Sequence, residues 1–286
     1  MKADRPSWTA QVVAVTRALA SETRAAVVDP GDGAVKQLLP LDLRLWLAAL
    51  KATRLAPWAV RASAGFVDHI ALRAAILDHR VELAIAAGVE QLVILGAGLD
   101  TRAHRLECLA EADVFEVDHP STQRGKESAA RELPTTARKL VYVSVDFERE
   151  RATDRLAQSG HNAGARTLWL LEGVVPYLSE GALSGLFSEI SAASAPGSQL
   201  VLTYVPTDAR WFKLSKPALR VVLSAAGEPF QSPITGQALA ELLRVHGLSV
   251  EQDSAPAEWV SELGASAEGH RIVTYERLVV ATKASP

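Results

Sequence analysis

QLVILGAGLDT, residues 91–101, runs four apolar side chains straight into Gly96-Ala97-Gly98. A short apolar run that ends in a glycine turn is the pattern of a buried parallel strand feeding a loop beneath a helix N-terminus. Glycine suits that loop because a Cβ would block close approach of a ligand to the backbone. A second apolar run, Val114-Phe115-Glu116-Val117, ends at Asp118. A carboxylate about twenty residues beyond the loop sits beside it and accepts hydrogen bonds from a ribose diol. The two features together predict a nucleoside site. The competing reading is a turn needed only for helix–strand packing, with Asp118 as a helix cap.

A dinucleotide fingerprint requires G-x-G-x-x-G, with a pyrophosphate resting on the helix N-terminus. Here the third glycine is replaced by Thr101, and Asp100 puts a carboxylate in the first turn, where it repels phosphate. A nucleoside without phosphates fits better, and S-adenosylmethionine is the obvious one. A nicotinamide-dependent oxidoreductase on a related sheet is the rival enzyme class. A non-catalytic regulator that keeps the pocket is a third.

With 286 residues, 48% of them hydrophobic, the chain can bury one large core or a core plus a cap. A formal net charge of −3 gives no basic excess, so nucleic acid is not an expected partner. The single cysteine, Cys108, excludes an internal disulfide framework and fits a reducing compartment, as a structural thiol rather than a nucleophile. No apolar run reaches the ~18 residues that span a bilayer, and Asp4 and Arg17 make the N-terminus a poor secretory signal, so a cytoplasmic location is expected. The seven histidines form no HxxxH or HExxH pair, so no metal site is expected.

Helices are expected over residues 8–28, 35–56 and 59–87, a helical cap or lid ahead of the first strand; the domain boundary falls at 90, with the core at 91–286. Apolar runs at 91–95, 113–118, 140–145, 166–172 and 198–205 alternate with stretches of helical length at 101–111, 120–131, 148–158 and 180–195, which argues for a parallel doubly wound sheet. Residues 248–251 and 277–282 close the chain as two more strands. The polar link 253–275 shows no crossover helix, so the last strand is expected to be antiparallel. Residues 206–233 break the alternation with Trp211, Phe212 and four prolines. An insertion there lies at the carboxyl edge of the sheet and is the candidate wall of an acceptor site.

LGAGLDTRAHRL, FEVDHPSTQRGK, VSVDFERE and LWLLEGVVPYLSE, in this order and spacing, resemble the leucine carboxyl methyltransferase family, above all its bacterial branch of S-adenosylmethionine-dependent and polyketide carboxyl O-methyltransferases. The likeness covers most of residues 8–205. It implies a class I methyltransferase fold, an α/β Rossmann-like sheet of seven strands (five parallel strands plus a terminal antiparallel hairpin) with an N-terminal helical cap. It further implies that Gly96, Ala97 and Gly98 pass beneath the methionine part of the cofactor and that Asp118 binds the ribose. Asp146 would accept from the adenine amino group, Phe147 would pack on the ring, and Glu172 would face the ammonium or sulfonium. The family binds the cofactor carboxylate with an Arg from the helical region. Arg61 is the best match, with Arg73 and Arg54 as rivals, while Arg102 is expected to pair with surface carboxylates. His104 and His119 depart from the family's usual residues without removing a cofactor contact.

Methyl transfer from a sulfonium needs alignment and exclusion of water. A carboxylate acceptor is already ionised and needs no general base, which agrees with the absence of a His–Asp or Ser–His constellation. Carboxyl O-methylation of a small metabolite is the favoured reaction. A phenol or hydroxyl acceptor is the alternative, and His69, His119 or His246 would then serve as base. Tyr177 and Tyr204 are the candidate acceptor-side residues.

Overall fold

Alternating apolar side chains build a seven-stranded sheet whose two faces both carry helices. The computed structural model describes residues 8–23, 26–147, 149–207 and 234–284. Strands β1 (Gln91–Leu95), β2 (Asp113–Asp118), β3 (Lys139–Ser144), β4 (Thr167–Leu171), β5 (Gln199–Tyr204), β6 (Leu248–Ser254) and β7 (Arg277–Lys283) stand in the order β3-β2-β1-β4-β5-β7-β6. The first five pair in parallel, and β7 runs antiparallel to both β5 and β6. The order turns back between β1 and β4, so the loops after those two strands meet at one crevice, where open α/β sheets bind ligands.

Among the described residues, four α-helices precede the sheet: α1 (Trp8–Thr23), α2 (Leu41–Ala52), α3 (Ala56–Ala62) and α4 (Phe66–Ala86). The helix expected over 35–56 begins instead with a 3-10 turn, Val35–Leu38, and restarts after Pro40, because proline favours a first-turn position over a helix interior. The helix expected over 59–87 is broken by left-handed backbone at Ala64 and Gly65 (φ 53° and 94°), which separates α3 from α4. Residues 101–111 form only the short α5 (Arg102–Arg105) and a 3-10 turn. Helices α6 (Pro120–Ala130), α7 (Ala152–Gln158) and α8 (Glu180–Ala192) lie in the expected alternation, and α9 (Gly236–Val245) precedes β6. The link before β7 does contain a short helix, α10 (Pro256–Glu262), yet the last strand is still antiparallel. The expected acceptor wall, 206–233, lies almost wholly outside the described residues.

One face of the sheet buries Val93, Leu95, Phe115, Trp169 and Leu202 against α7, α8 and α9. The other buries Leu92, Ile94, Val114 and Leu170 against α4 and α10. The period of two along β1 sends neighbouring residues to opposite cores. Helix α4 serves two layers: Leu72, Ile76 and Leu77 pack on the sheet, while Val67 and Ala71 join the cluster of α1 to α3. That double contact fixes the N-terminal helices over the carboxyl edge.

Leu77 has no exposed surface and sits in the sheet-side cluster. Leu77→Ala is expected to lower unfolding free energy by about 2–5 kcal/mol in urea denaturation; a cost under about 1 kcal/mol would show that α4 is not tied to the sheet.

Candidate functional site

The loop after β1 is held from below by the end of β2. Gly96 and Ala97 N–H donate to Val117 O at 2.8 and 3.1 Å. The Asp118 carboxylate then turns toward the loop: Oδ2 accepts from Gly98 N–H at 2.5 Å and Oδ1 from His119 N–H at 2.6 Å. Burial pushes this carboxyl above its usual range, and the two N–H donors offset only part of that. Gly96 has φ +70°, and a Cβ there would lie 2.6 Å from Val174 Cγ2, so no other residue fits without a shift. Helix α1 covers the turn: a Cβ on Gly98 would lie 3.2 Å from Ala10 Cβ, and Arg17 Nη2 donates to Leu99 O at 2.6 Å.

Beside the loop lies a ladder of buried charges. Arg102, with no exposed side-chain surface, donates to Asp78 Oδ1 at 2.7 Å and Glu172 Oε2 at 3.0 Å, and also pairs with Asp100. Asp100, expected to repel phosphate from the helix's first turn, is matched by the Arg102 cation. Arg102 makes the predicted carboxylate pairs but in the interior, not at the surface. Glu172, just past β4, accepts from Arg73 Nε at 3.0 Å with its other oxygen. Burial raises the Glu172 carboxyl, and Arg73 and Arg102 more than reverse this, so it is held low. Arg73 also donates to Glu276 at 3.1 and 3.2 Å, and Glu276 meets His69 Nε2 at 2.6 Å. In the other direction Asp78 binds Arg105 at 2.6 Å, and Asp32 binds Arg17 at 3.0 Å and accepts from Thr101 Oγ1 at 2.6 Å.

The structure brings Gly96, Ala97, Gly98, Asp118 and Glu172 to one edge. Asp146 and Phe147 follow β3; Asp146 N–H donates to Glu150 Oε2 at 3.0 Å, and Phe147 lines a groove with Leu178 and Leu186 between α7 and α8. Arg61 is exposed on α3 and joins none of these pairs among the described residues, whereas its rival Arg73 is central to them. Tyr177, half-buried after β4, stands within electrostatic reach of Tyr275. Tyr204 is a correction. It shares the face of Leu200 and Leu202, is buried in the core, and its hydroxyl donates to Asp253 Oδ2 at 2.8 Å, so it does not face an acceptor. His119 caps α6 with its ring, and burial pushes the Cys108 thiol up to about 11.

Several partners were hidden from the sequence. Glu276 and His69 lie 207 residues apart and meet only because β7 inserts beside β5. Arg17 carried a signal, being the lone charge in the apolar run 10–20. Such a residue on a helix's buried face must have a partner.

The leucine carboxyl methyltransferase family profile matches residues 10–191. A Mycolicibacterium smegmatis protein, provisionally named an S-adenosyl-L-methionine-dependent methyltransferase, is 34% identical over 204 residues, 69% of this chain and 66% of its own. A Streptomyces avermitilis protein of the same provisional name is 40% identical over 135 residues, 47% of each chain. The matches thus span between 47% and 66% of those relatives' lengths. Among solved structures, a DUF574 family protein from Streptomyces avermitilis superposes with a TM-score of 0.60 at 15% identity, covering 82% of this chain and 90% of that one; this is a likeness of fold.

Burial raises the Glu276 carboxyl, but Arg73 and the His69 hydrogen bond outweigh it and bring it from 4.5 to about 2. A depressed acid contributes stability above its unfolded pKa and loses it as pH falls through the folded one. The difference in unfolding free energy between the wild type and Glu276→Gln should therefore stay level above pH 4.5 and shrink toward pH 2 in urea titrations. A difference that ignores pH across that window would contradict the pairing.

Proposed function

The chain belongs to the leucine carboxyl methyltransferase family, and from that premise we propose that it transfers a methyl group from S-adenosylmethionine to a carboxylate of a small metabolite, giving a methyl ester. The observation that carries the cofactor reading is the state of Asp118. Each of its oxygens accepts one backbone N–H. An ionised carboxylate offers about four lone-pair positions, so both oxygens keep capacity for the two hydroxyls of a ribose. When bound, S-adenosylmethionine supplies a methyl group on a positively charged sulfur.

The chain's own residues would then divide the work. The Gly96–Gly98 turn leaves its backbone open to the amino-acid part of the ligand, and Asp118 orients the ribose. Asp146 and Phe147, at the end of β3, would bound the adenine. Glu172 would present negative charge to the ligand's cationic end, and Arg73, already bonded to it, would meet the ligand's carboxylate. This gives Arg73 the role that the sequence assigned to Arg61. Residues 1–90 would act as the cap and 91–286 as the core, supported by α1 lying over Gly98 and Leu99. Closure of that helix against the turn would keep water from the reacting atoms.

The acceptor reading rests on the histidines. A phenol acceptor needs its proton taken by a base within hydrogen-bond reach. His69 is committed to Glu276, His119 caps α6, and His246 meets Ser184 Oγ at 3.0 Å. A carboxylate acceptor requires none of them. Tyr177, beside Tyr275 at the carboxyl edge, would line the acceptor pocket.

Asp118→Ala is expected to weaken binding of S-adenosylhomocysteine by about a hundredfold or more, the worth of two charge-assisted hydrogen bonds, while the circular dichroism spectrum stays unchanged. Calorimetric titration measures it, and wild-type affinity in the variant would refute the ribose placement. With methyl-labelled cofactor and a panel of carboxylic acids and phenols, the labelled product should release methanol under alkali; an alkali-stable ether would move the assignment to a hydroxyl acceptor.

A further inference from the structure

Helix α2 is apolar on two sides. Leu43, Leu47 and Leu50 turn inward and join the cluster formed with α1 and α3. Leu41, Leu45, Ala48 and Ala52 recur at i, i+4, i+7 and i+11, which makes a second stripe on the opposite side. That stripe lies in solvent: Leu41 is 67% and Leu45 61% exposed, and both alanines are exposed as well. A surface helix turns its polar residues outward, so the stability of the fold gives no reason for this face. The apolar surface continues past the end of α2. Leu55 is exposed in the turn, and Trp58, 73% exposed, is turned away from the core that Ala56 and Val60 of α3 enter.

Large apolar side chains grouped outside a core mark a docking surface. The charge around them decides what docks. Residues 41–62 hold four basic side chains, Arg44, Lys51, Arg54 and Arg61, against one acid, Asp42, although the whole chain has a net charge of −3. Lys51 is paired with Glu22. Arg44, Arg54 and Arg61 are exposed and pair with no acid among the described residues. Arg61 stands three positions from Trp58, on the same outward side of α3. A second copy docked by this face would set the arginines against their own counterparts, since a two-fold contact joins a patch to itself. An anionic bilayer matches them instead: leucine and tryptophan enter the headgroup boundary while arginine meets the headgroup charge.

We propose that the outward side of α2 and α3 docks on an anionic lipid bilayer, lying in its surface rather than crossing it. Helices of 12 and 7 residues are too short to span one. The inference uses none of the cofactor-binding residues, so it is tested apart from the cofactor reading.

Sedimentation of the full chain with large vesicles tests it. Vesicles of phosphatidylcholine with phosphatidylglycerol should pellet the wild type at about 0.1 M salt and release it at about 1 M. Vesicles of phosphatidylcholine alone should leave it in solution. Leu45→Ser with Trp58→Ser should partition about a hundredfold more weakly. The triple change Arg44→Gln, Arg54→Gln and Arg61→Gln should lose about as much, near fivefold for each charge. Val245→Ser, at an apolar residue 64% exposed on α9, should bind as the wild type does. A wild type that stays in solution with the anionic vesicles overturns the proposal, and this reading needs no variant to fold. Equal binding to both vesicle types, binding that 1 M salt does not release, or binding that folded patch variants retain in full also overturns it. A lipid-free wild type that sediments as a dimer, while Leu45→Ser with Trp58→Ser is monomeric, overturns it in favour of self-association.

Discussion

A guanidinium that has lost all contact with water must be surrounded by negative charge, and Arg102 sets this condition at the centre of the molecule. Its partners come from three places in the chain: Asp78 on α4, Asp100 in the loop after β1, and Glu172 after β4. Asp78 and Asp100 are buried and Glu172 is largely so, and these acids call for more cations, so the pairing spreads outward to Arg105, Arg73 and Glu276. Taking away one member leaves an uncompensated interior charge, which costs about 3–5 kcal/mol. The geometry of the glycine turn is thus fixed by electrostatics as much as by packing.

The same ladder joins layers that apolar contacts alone would leave loosely oriented. Hydrophobic burial is non-directional, so the cluster among α1, α2 and α3 sets how tightly these helices adhere but not their rotation. Arg17 supplies direction, binding Asp32 in the segment after α1 and the Leu99 carbonyl in the glycine turn. At the other end, His270 meets Asp68 Oδ1 at 2.9 Å, which brings the segment before β7 onto the start of α4. The N-terminal helices, the glycine turn and the segment before β7 are therefore tied by polar contacts.

Most of the sheet was legible because strand signals are local. Runs such as 91–95 and 113–118 end where the structure ends them, since a glycine or an acid stops the apolar pattern at the carboxyl edge. The helices were less legible where one backbone residue decides. Pro40 and the turn at Ala64 each split a continuous apolar period that reads as a single helix. In the site, motif residues were readable one by one, whereas pairing was not. Arg61 and Arg73 look alike in sequence, and only the fold shows that the second pairs with Glu172 and Glu276. Tyr204 shares strand parity with Leu200 and Leu202, and counting by twos along β5 sends it inward. The buried Lys126–Glu116 pair had no signal beyond a lysine on a helix and an acid within an apolar strand.

The position of β7 between β5 and β6 bears on how the chain acquires its shape. β6 is made before β7 yet pairs with no other named strand, so its edge has no docking place until β7 arrives. A chain emerging from the ribosome can assemble its first five strands in order, but Arg73 and His69 wait for Glu276 from the far end. Such long-range closure is slow compared with local pairing. The nascent protein would therefore hold an open sheet edge, and an Arg73 paired with Glu172 alone, until β7 has been made, an interval in which chaperone binding or aggregation competes with completion of the fold.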